Sequence, residues 1–179
     1  WDINTGEELL RMEGNRSWVR SVAISPDGKR ALLGCYDNTM RYWDLEKAEL
    51  LSEMKFDNWV WNVAFSPDGS RAAAVSGKVV TVWDLESPEE PILKLNQPDD
   101  MACIAFSPDG SRLLGGGYDM IVRLWNADDG ELIETYRGHR GWVFSVAFSP
   151  DGQTALSGGG GRFTPNRGTE PGIDFSLRL

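Results

Sequence analysis

"AFSPDG" occupies residues 64–69, recurs at 105–110 and 147–152, and stands as "AISPDG" at 23–28. Around its first copy, in VRSVAISPDGKRALLGC (19–35), an apolar, β-branched run reaches Ser-Pro-Asp-Gly and a second run leaves it. That pattern reads as a β-hairpin. Pro26 presets the negative φ of the first turn position, and Asp27 can fold its carboxylate onto the local backbone. Gly28 accepts the positive φ that closes the loop.

The four turns begin at Ser25, Ser66, Ser107 and Ser149, spaced by 41, 41 and 42 residues. A second marker, Trp followed by an acid or amide, falls at Trp1-Asp2, Trp43-Asp44, Trp83-Asp84 and Trp125-Asn126, spaced by 42, 40 and 42. Two independent markers that keep one period define a repeat architecture. Each unit holds about four short strands: one before the turn, one from it to Tyr36, a third in TMRYWD, and a fourth in LLSEMK after the polar loop LEKAE. A lone four-stranded antiparallel sheet cannot bury both faces, so each unit needs neighbours stacked against it.

Composition fits a globular chain, at 41% hydrophobic and 25% charged residues. The balance of 18 basic against 27 acidic side chains leaves a net charge of −9. With no basic cluster, that charge repels a phosphate backbone, so no nucleic-acid partner is expected. No stretch approaches the roughly 20 apolar residues of a membrane span, and WDINTGEELL lacks the pattern of a secretory signal. Cys35 and Cys103 are far apart without metal-ligand spacing, which favours free, buried thiols and a reducing, cytoplasmic setting over a disulfide.

The pattern GHRGWVFSVAFSPDGQTALSGG (138–159), with YDMIVRLWN (118–126) closing the preceding unit, resembles the WD40 repeat. The resemblance covers essentially the whole chain, and the plain SPDG turns look similar to bacterial members. It implies an all-β fold, a β-propeller of four-stranded antiparallel blades. The implied layout is 1–13 as the outer strand of a preceding or closing blade, then blades at 14–55, 56–96 and 97–137. Residues 138–179 form a blade lacking its outer strand.

In that family a His, a Ser or Thr, an Asp and the Trp form a hydrogen-bonded set tying the loops to the third strand. Only the last unit here carries the first three, as His139, Ser157 and Asp174. The first offers Asn15, Leu33, Asp37 and Trp43, and the third Gly115, Asp119 and Trp125. The second places Gly77 where the acid belongs, before Trp83. Each such hydrogen bond contributes about 0.5–1.5 kcal/mol net, so modest stability is expected. The last unit is also 13 residues longer between its serine and its Asp than the first or third. The extra residues, at about 159–173, are rich in Gly, Pro and Thr and read as a loop without strand period.

Four repeats are fewer than the seven or so that the resemblance implies for a closed ring. Three arrangements stay open: a piece of a larger propeller completed by further repeats, self-association with a second copy, or EELLRME (7–13) closing a four-bladed ring. The first is favoured because both ends fall at the repeat marker.

Catalysis finds little support. His139 is the sole histidine and sits in the structural Gly-His context, and the corner acids Asp37, Asp119 and Asp174 recur by repeat position. SGGGG (157–161) lacks the Lys-Ser or Lys-Thr of a phosphate loop and precedes no helix. No cofactor or metal is expected, and these glycines, like Gly115, Gly116 and Gly117, read as permitting close approach of neighbouring sheets or a flexible corner.

One constellation stands out. The innermost strands open with Trp18-Val19-Arg20, Trp59-Val60-Trp61, Met101-Ala102-Cys103 and Trp142-Val143-Phe144. Residues two apart share a strand face, so the aromatic pairs project together. By the family layout they lie on the top surface around the central channel, where Tyr36 and Tyr118 join them. Trp, Tyr and Arg dominate binding hot spots. The expected partner-binding set is Trp18, Arg20, Tyr36, Trp59, Trp61, Met101, Tyr118, Trp142 and Phe144, set against the reading in which the tryptophans fill wedges between blades. The expectation is a non-enzymatic scaffold whose top surface and 157–173 loop hold a peptide or protein. A structural or regulatory appendage of a larger protein, such as a bacterial kinase, is the alternative; a small-ligand binder or enzyme using the channel ranks third.

Overall fold

The computed structural model describes residues 1–164, 168–170 and 177–178, and every regular element in them is a β-strand. The first sheet is a meander of β1 (Val19–Ile24), β2 (Arg30–Cys35), β3 (Thr39–Asp44) and β4 (Glu49–Lys55). The second repeats it with β5 (Val60–Phe65), β6 (Arg71–Ser76), β7 (Val79–Asp84) and β8 (Leu93–Asn96). The third does so with β9 (Met101–Phe106), β10 (Arg112–Gly117), β11 (Val122–Asn126) and β12 (Leu132–Tyr136). In the fourth, β13 (Trp142–Phe148) pairs with β14 (Ala155–Gly160). A short hairpin of β15 (Arg162–Thr164) and β16 (Gly168–Glu170) follows, and β17 (Leu177–Arg178) returns to pair with β14. All pairings are antiparallel.

The turn chemistry read from the sequence is realised in atoms. The Asp27 carboxylate accepts from Ser25 Oγ at 2.6 Å and from the Lys29 amide at 3.0 Å, while the Arg30 amide donates to Ser25 Oγ at 2.9 Å. Gly28 has φ 73°, and its counterparts Gly69, Gly110 and Gly152 have 76°, 75° and 68°. Hydrogen bonds from the serine hydroxyl and the backbone hold the Asp68 and Asp109 carboxyls at about 2, below the ordinary 3.8. A carboxylate depressed on folding adds stability above its unfolded pKa and loses it as the pH falls through the folded value. The thermal midpoint is therefore expected to drop as pH falls from 3.8 towards about 2. An Asp68→Asn/Asp109→Asn variant followed by calorimetry should show a shallower drop.

Each turn is also a contact between units, which is why the chain repeats it. Gly110 sits against Pro67 and Gly152 against Pro108. Arg71, just beyond the second turn, donates to the Gly110 carbonyl at 2.7 Å and to the Ala127 carbonyl at 3.1 Å; its guanidinium lies 5.5 Å from the Phe106 ring centre. Arg112 makes the same reach one unit later, to the Gly152 carbonyl at 3.0 Å and over Phe148.

The sheets stack radially. β1 packs on β5, β5 on β9 and β9 on β13, while β2, β6 and β10 each pack on the first strand of the next sheet. Inner strands thus converge as in a propeller, and apolar side chains fill the wedges. Leu32 and Met40 meet Val60 and Trp83 in the first wedge, and Val75 and Val80 meet Met101 and Trp125 in the second. The sheets approach so closely that a Cβ on Gly34 would stand 2.9 Å from Val60 Cγ1, and one on Gly116 2.5 Å from Val143 Cγ1. The approach at Gly116 is one expected of the glycines.

Three expectations are corrected. Residues 7–13, read as an outer strand, form no strand. The turn that would lead into it is present, with the Gly6 amide on the Asp2 carbonyl and the Asp2 amide on the Glu7 carbonyl. Beyond that turn, residues 7–13 belong to no sheet among the described residues. Second, the 159–173 insertion is not simply a loop. Residues 159 and 160 still belong to β14, and the β15–β16 hairpin pairs Phe163 with Thr169. A composition rich in Gly and Pro hid the aromatic and β-branched residues Phe163, Thr164 and Thr169, which favour strand. Third, Met101 is a core residue, as described below.

The flank of the first sheet is uncovered. Val22 is 69% exposed, whereas its counterparts one and two units on, Val63 and Ile104, are each 4% exposed under the preceding sheet.

Candidate interaction surface

The side chains at the entry to the inner strands form one continuous aromatic belt. Trp18 lies 5.8 Å from Tyr36 between ring centres, and Tyr36 stacks on Trp59 at 4.7 Å with an 11° interplanar angle. Tyr36 also meets Trp61 edge-on at 5.6 Å, and Trp61 meets Tyr118 at 6.2 Å in the next blade. Tyr118 then contacts Trp142 at 4.7 Å and Phe144 at 6.0 Å in the fourth. The Arg20 guanidinium sits 5.8 Å from the Trp61 ring centre, a cation–π contact.

The backbone dictates this assembly. Each inner strand carries a β-bulge, at Arg20, Trp61, Ala102 and Phe144, and the tyrosines directly follow the second strands, where the Tyr36 amide donates to the Trp18 carbonyl and the Tyr118 amide to the Asp100 carbonyl, both at 2.9 Å. Tyr118 is half-buried, and burial together with the nearby Asp100 carboxylate raises its phenol pKa against the opposing pull of Arg20.

Eight of the nine residues expected to bind a partner lie in this belt; Met101 does not. It is fully buried in the wedge between the second and third sheets. Counted back from the SPDG serine, Met101 matches Val60 and Val143, both also fully buried, and the counterparts of Trp59 and Trp61 are Asp100 and Ala102. A shift of one residue exchanges the two faces of a strand.

The tryptophans divide by position. Trp43, Trp83 and Trp125, at the ends of the third strands, are buried and fill the wedges. Trp18 and Trp59 are 77% and 49% exposed. Trp61, partly buried, packs against the core of the second wedge.

The polar ties are placed less uniformly. In the fourth unit His139 Nε2 and Ser157 Oγ lie 2.8 Å apart, and a Cβ on Gly159 would stand 2.6 Å from His139 Nδ1, so glycine there makes room for the imidazole. Asp174 lies outside the described residues. Elsewhere the corner acids have a different partner. Asp37 accepts from Arg41 at 2.8 Å and Asp119 from Arg123 at 2.6 Å. Burial works to raise the Asp37 carboxyl, but Thr39 and Arg41 donate to it and hold it below its ordinary value. Trp43 Nε1 is buried without a partner, whereas Trp83 Nε1 donates to Thr81 Oγ1 at 2.9 Å.

Sequence reasoning missed Arg41 and Arg123, although a signal was available within the chain. Arginine stands four residues after the acid in the first, third and fourth units, and where the second has Gly77 it has Thr81 in the arginine's place. Acid and arginine come and go together.

Both cysteines are free and buried, and burial pushes the Cys103 thiol up to about 12. Among the described residues no group of three or more His, Cys, Asp or Glu side chains could hold a metal ion.

Meandering four-stranded sheets, stacked by their inner strands and sewn at repeated turns, define a repeat protein of the β-propeller class. The WD domain, G-beta repeat matches residues 6–44, 49–84, 89–126 and 130–163, and the chain belongs to the WD40 family. It is 33% identical over 136 residues to the small ribosomal subunit protein RACK1 of Trypanosoma brucei brucei, covering 72% of this chain and 42% of that protein. It is 29% identical over 143 residues to the nuclear distribution protein PAC1 of Arthroderma otae, covering 80% of this chain and 27% of that one. To the transducin-like enhancer protein 2 of Mus musculus it is 29% identical over 147 residues, covering 76% and 19%. The chain thus spans less than half the length of each of these relatives.

Proposed function

We propose that this chain is a non-enzymatic interaction scaffold that holds a peptide or protein partner on its aromatic belt. One observation carries the reading: Trp18, Tyr36, Trp59, Trp61, Tyr118, Trp142 and Phe144 touch ring to ring across all four sheets while Trp18 stays largely exposed and Trp59 half exposed. Rigid aromatic side chains give large contact area at low entropic cost, and they dominate interface energetics. The relatives support it in general terms, since the name of one places it in the small ribosomal subunit, a multicomponent assembly. A further repeat unit covering Val22 and Ile24 belongs to the same reading, because the equivalent positions between the existing sheets are covered by a neighbouring unit. Two buried thiols suit a reducing compartment such as the cytoplasm.

The test is a Trp59→Ala/Trp61→Ala variant probed on arrays of extended peptides alongside the unaltered protein. Binding is expected to fall by about a hundredfold, the combined loss of two hot-spot residues, with the circular dichroism spectrum preserved. Unchanged binding would refute the belt as the contact surface, and loss of the folded spectrum would return these rings to a packing role.

A further inference from the structure

The belt is not uniform in charge, and its middle holds a hollow. Between the first three sheets, Asn38, Asp57, Asn58, Trp59, Trp61 and Asp100 enclose about 450 Å³. Its lining includes two tryptophans and two aspartates. Tyr36 covers one face of Trp59, yet Trp59 remains half exposed and borders the hollow. Neither Asp57 nor Asp100 forms an ion pair among the described residues, while the adjacent Asp99 is paired with Lys78 at 3.8 Å.

The placement of the acids is specific to this spot. Counted back from the SPDG serine, the position of Asp57 is taken by Arg16, Pro98 and Arg140 in the other units, and that of Asp100 by Trp18, Trp59 and Trp142. At these two positions an acid stands only in these units, where the first strand of the third sheet also lacks its aromatic residue. The backbone under the carboxylates is fixed: the Met101 amide donates to the Gly77 carbonyl at 2.8 Å, the Tyr118 amide to the Asp100 carbonyl, and Asn38 Nδ2 to the Asp57 carbonyl at 3.4 Å.

We propose that this hollow receives a guanidinium side chain, so that the partner is an arginine-bearing peptide segment. An indole face attracts a cation through its quadrupole, and a planar guanidinium stacks on it while offering hydrogen bonds to carboxylates at its edge. The belt already holds one such pair within itself, Arg20 over Trp61. The net charge of −9 attracts a basic segment and repels an acidic one at long range. An acidic or purely apolar segment would leave Asp57 and Asp100 desolvated without a counter-charge, which is costly.

The inference rests on the belt being the contact surface, and its test separates the two. The probes are Gly-Ser peptides carrying two arginines, two lysines or two glutamates, followed by the indole Nε1–H signals of Trp59 and Trp61 in NMR spectra. The arginine peptide is expected to shift both signals and to bind best, lysine more weakly, glutamate not at all. Asp57→Asn/Asp100→Asn should weaken the arginine peptide by about tenfold or more, as expected for loss of charge-assisted contacts, and rising salt should weaken it further. If peptides bind through Trp59 and Trp61 with no preference for arginine, or if the double Asn variant binds as before, the cation site is wrong and the belt stands. If none of the peptides moves the two indole signals, the cation site is wrong, and the peptide arrays decide on the belt separately.

Discussion

Arg41→Ala is expected to cost about 3–5 kcal/mol of stability, the range for stripping one member from a buried ion pair. The Arg41 side chain is only 4% exposed, and its guanidinium is held from several sides. Nη2 donates to Asp37 at 2.8 Å, Nε to Glu53 at 3.1 Å, and Nη1 to Asn15 Oδ1 at 3.2 Å. Alanine would remove the cation and leave Asp37, itself mostly buried, with Thr39 as its remaining side-chain donor. The same physics says that removing both charges costs less than removing one, because no uncompensated ion is left behind. A double Asp37→Asn/Arg41→Met variant is therefore expected to be more stable than Arg41→Ala. Urea midpoints of the three proteins decide it. Should the single variant lose under about 1 kcal/mol, the pair is an exposed-type contact and its structural role here is mistaken.

The second blade is the chain's own version of that double change. It has Gly77 and Thr81 at the two positions, and the hydroxyl of Thr81 accepts from Trp83 Nε1, which the first blade's Trp43 cannot match. Blades with the ion pair and a blade without it are built side by side, so neither arrangement is required by the fold.

What was legible in the sequence follows the range of the forces involved. The SPDG hairpins depend on hydrogen bonds within about five residues, and Pro26, Asp27 and Gly28 declare them by type. Periodicity then multiplies one local reading into four sheets, and the aromatic belt follows because the same inner-strand positions recur in each, bulges included. The failures arise where the signal is not local. Arg41 pairs within its own strand region but is recognised only when the units are laid over one another. The β15–β16 hairpin is encoded by three residues amid glycines and prolines, too short a run for alternation to show. Residues 7–13 read as a strand from their place in the repeat, but they belong to no sheet among the described residues, and a strand exists only where its backbone groups are paired. The hollow between Asp57 and Asp100 brings together residues 43 positions apart on neighbouring sheets, which no single stretch can reveal.

Met101 tests the one misplaced belt residue, and its replacement is the second large effect. Met101→Ala is expected to cost about 2–5 kcal/mol, as for a fully buried large-to-small change that leaves a cavity. The side chain is completely enclosed, in a wedge that includes Val75, Val80, Ile104 and Trp125. A Cβ at Gly115 would stand 3.0 Å from its Cε, so the methyl group touches the backbone of β10 directly. Alanine empties that space from both sides, since the small Gly115 cannot move in to fill it. The loss falls on the interface that joins the second and third sheets, so the two halves of the array should separate more readily, with faster amide exchange in β9 and β6 than in β2 and β3. Trp59→Ala supplies the contrast: a larger side chain is removed, but from an exposed position, and a loss below about 1 kcal/mol is expected. Were Met101→Ala instead neutral for stability and harmful to peptide binding, the alignment by the SPDG serine would be wrong and Met101 would return to the belt. The pairing of Met101 with Gly117 argues against that outcome: β9 leaves Ala102 unpaired as β5 leaves Trp61, so Met101 keeps the register of the buried Val60.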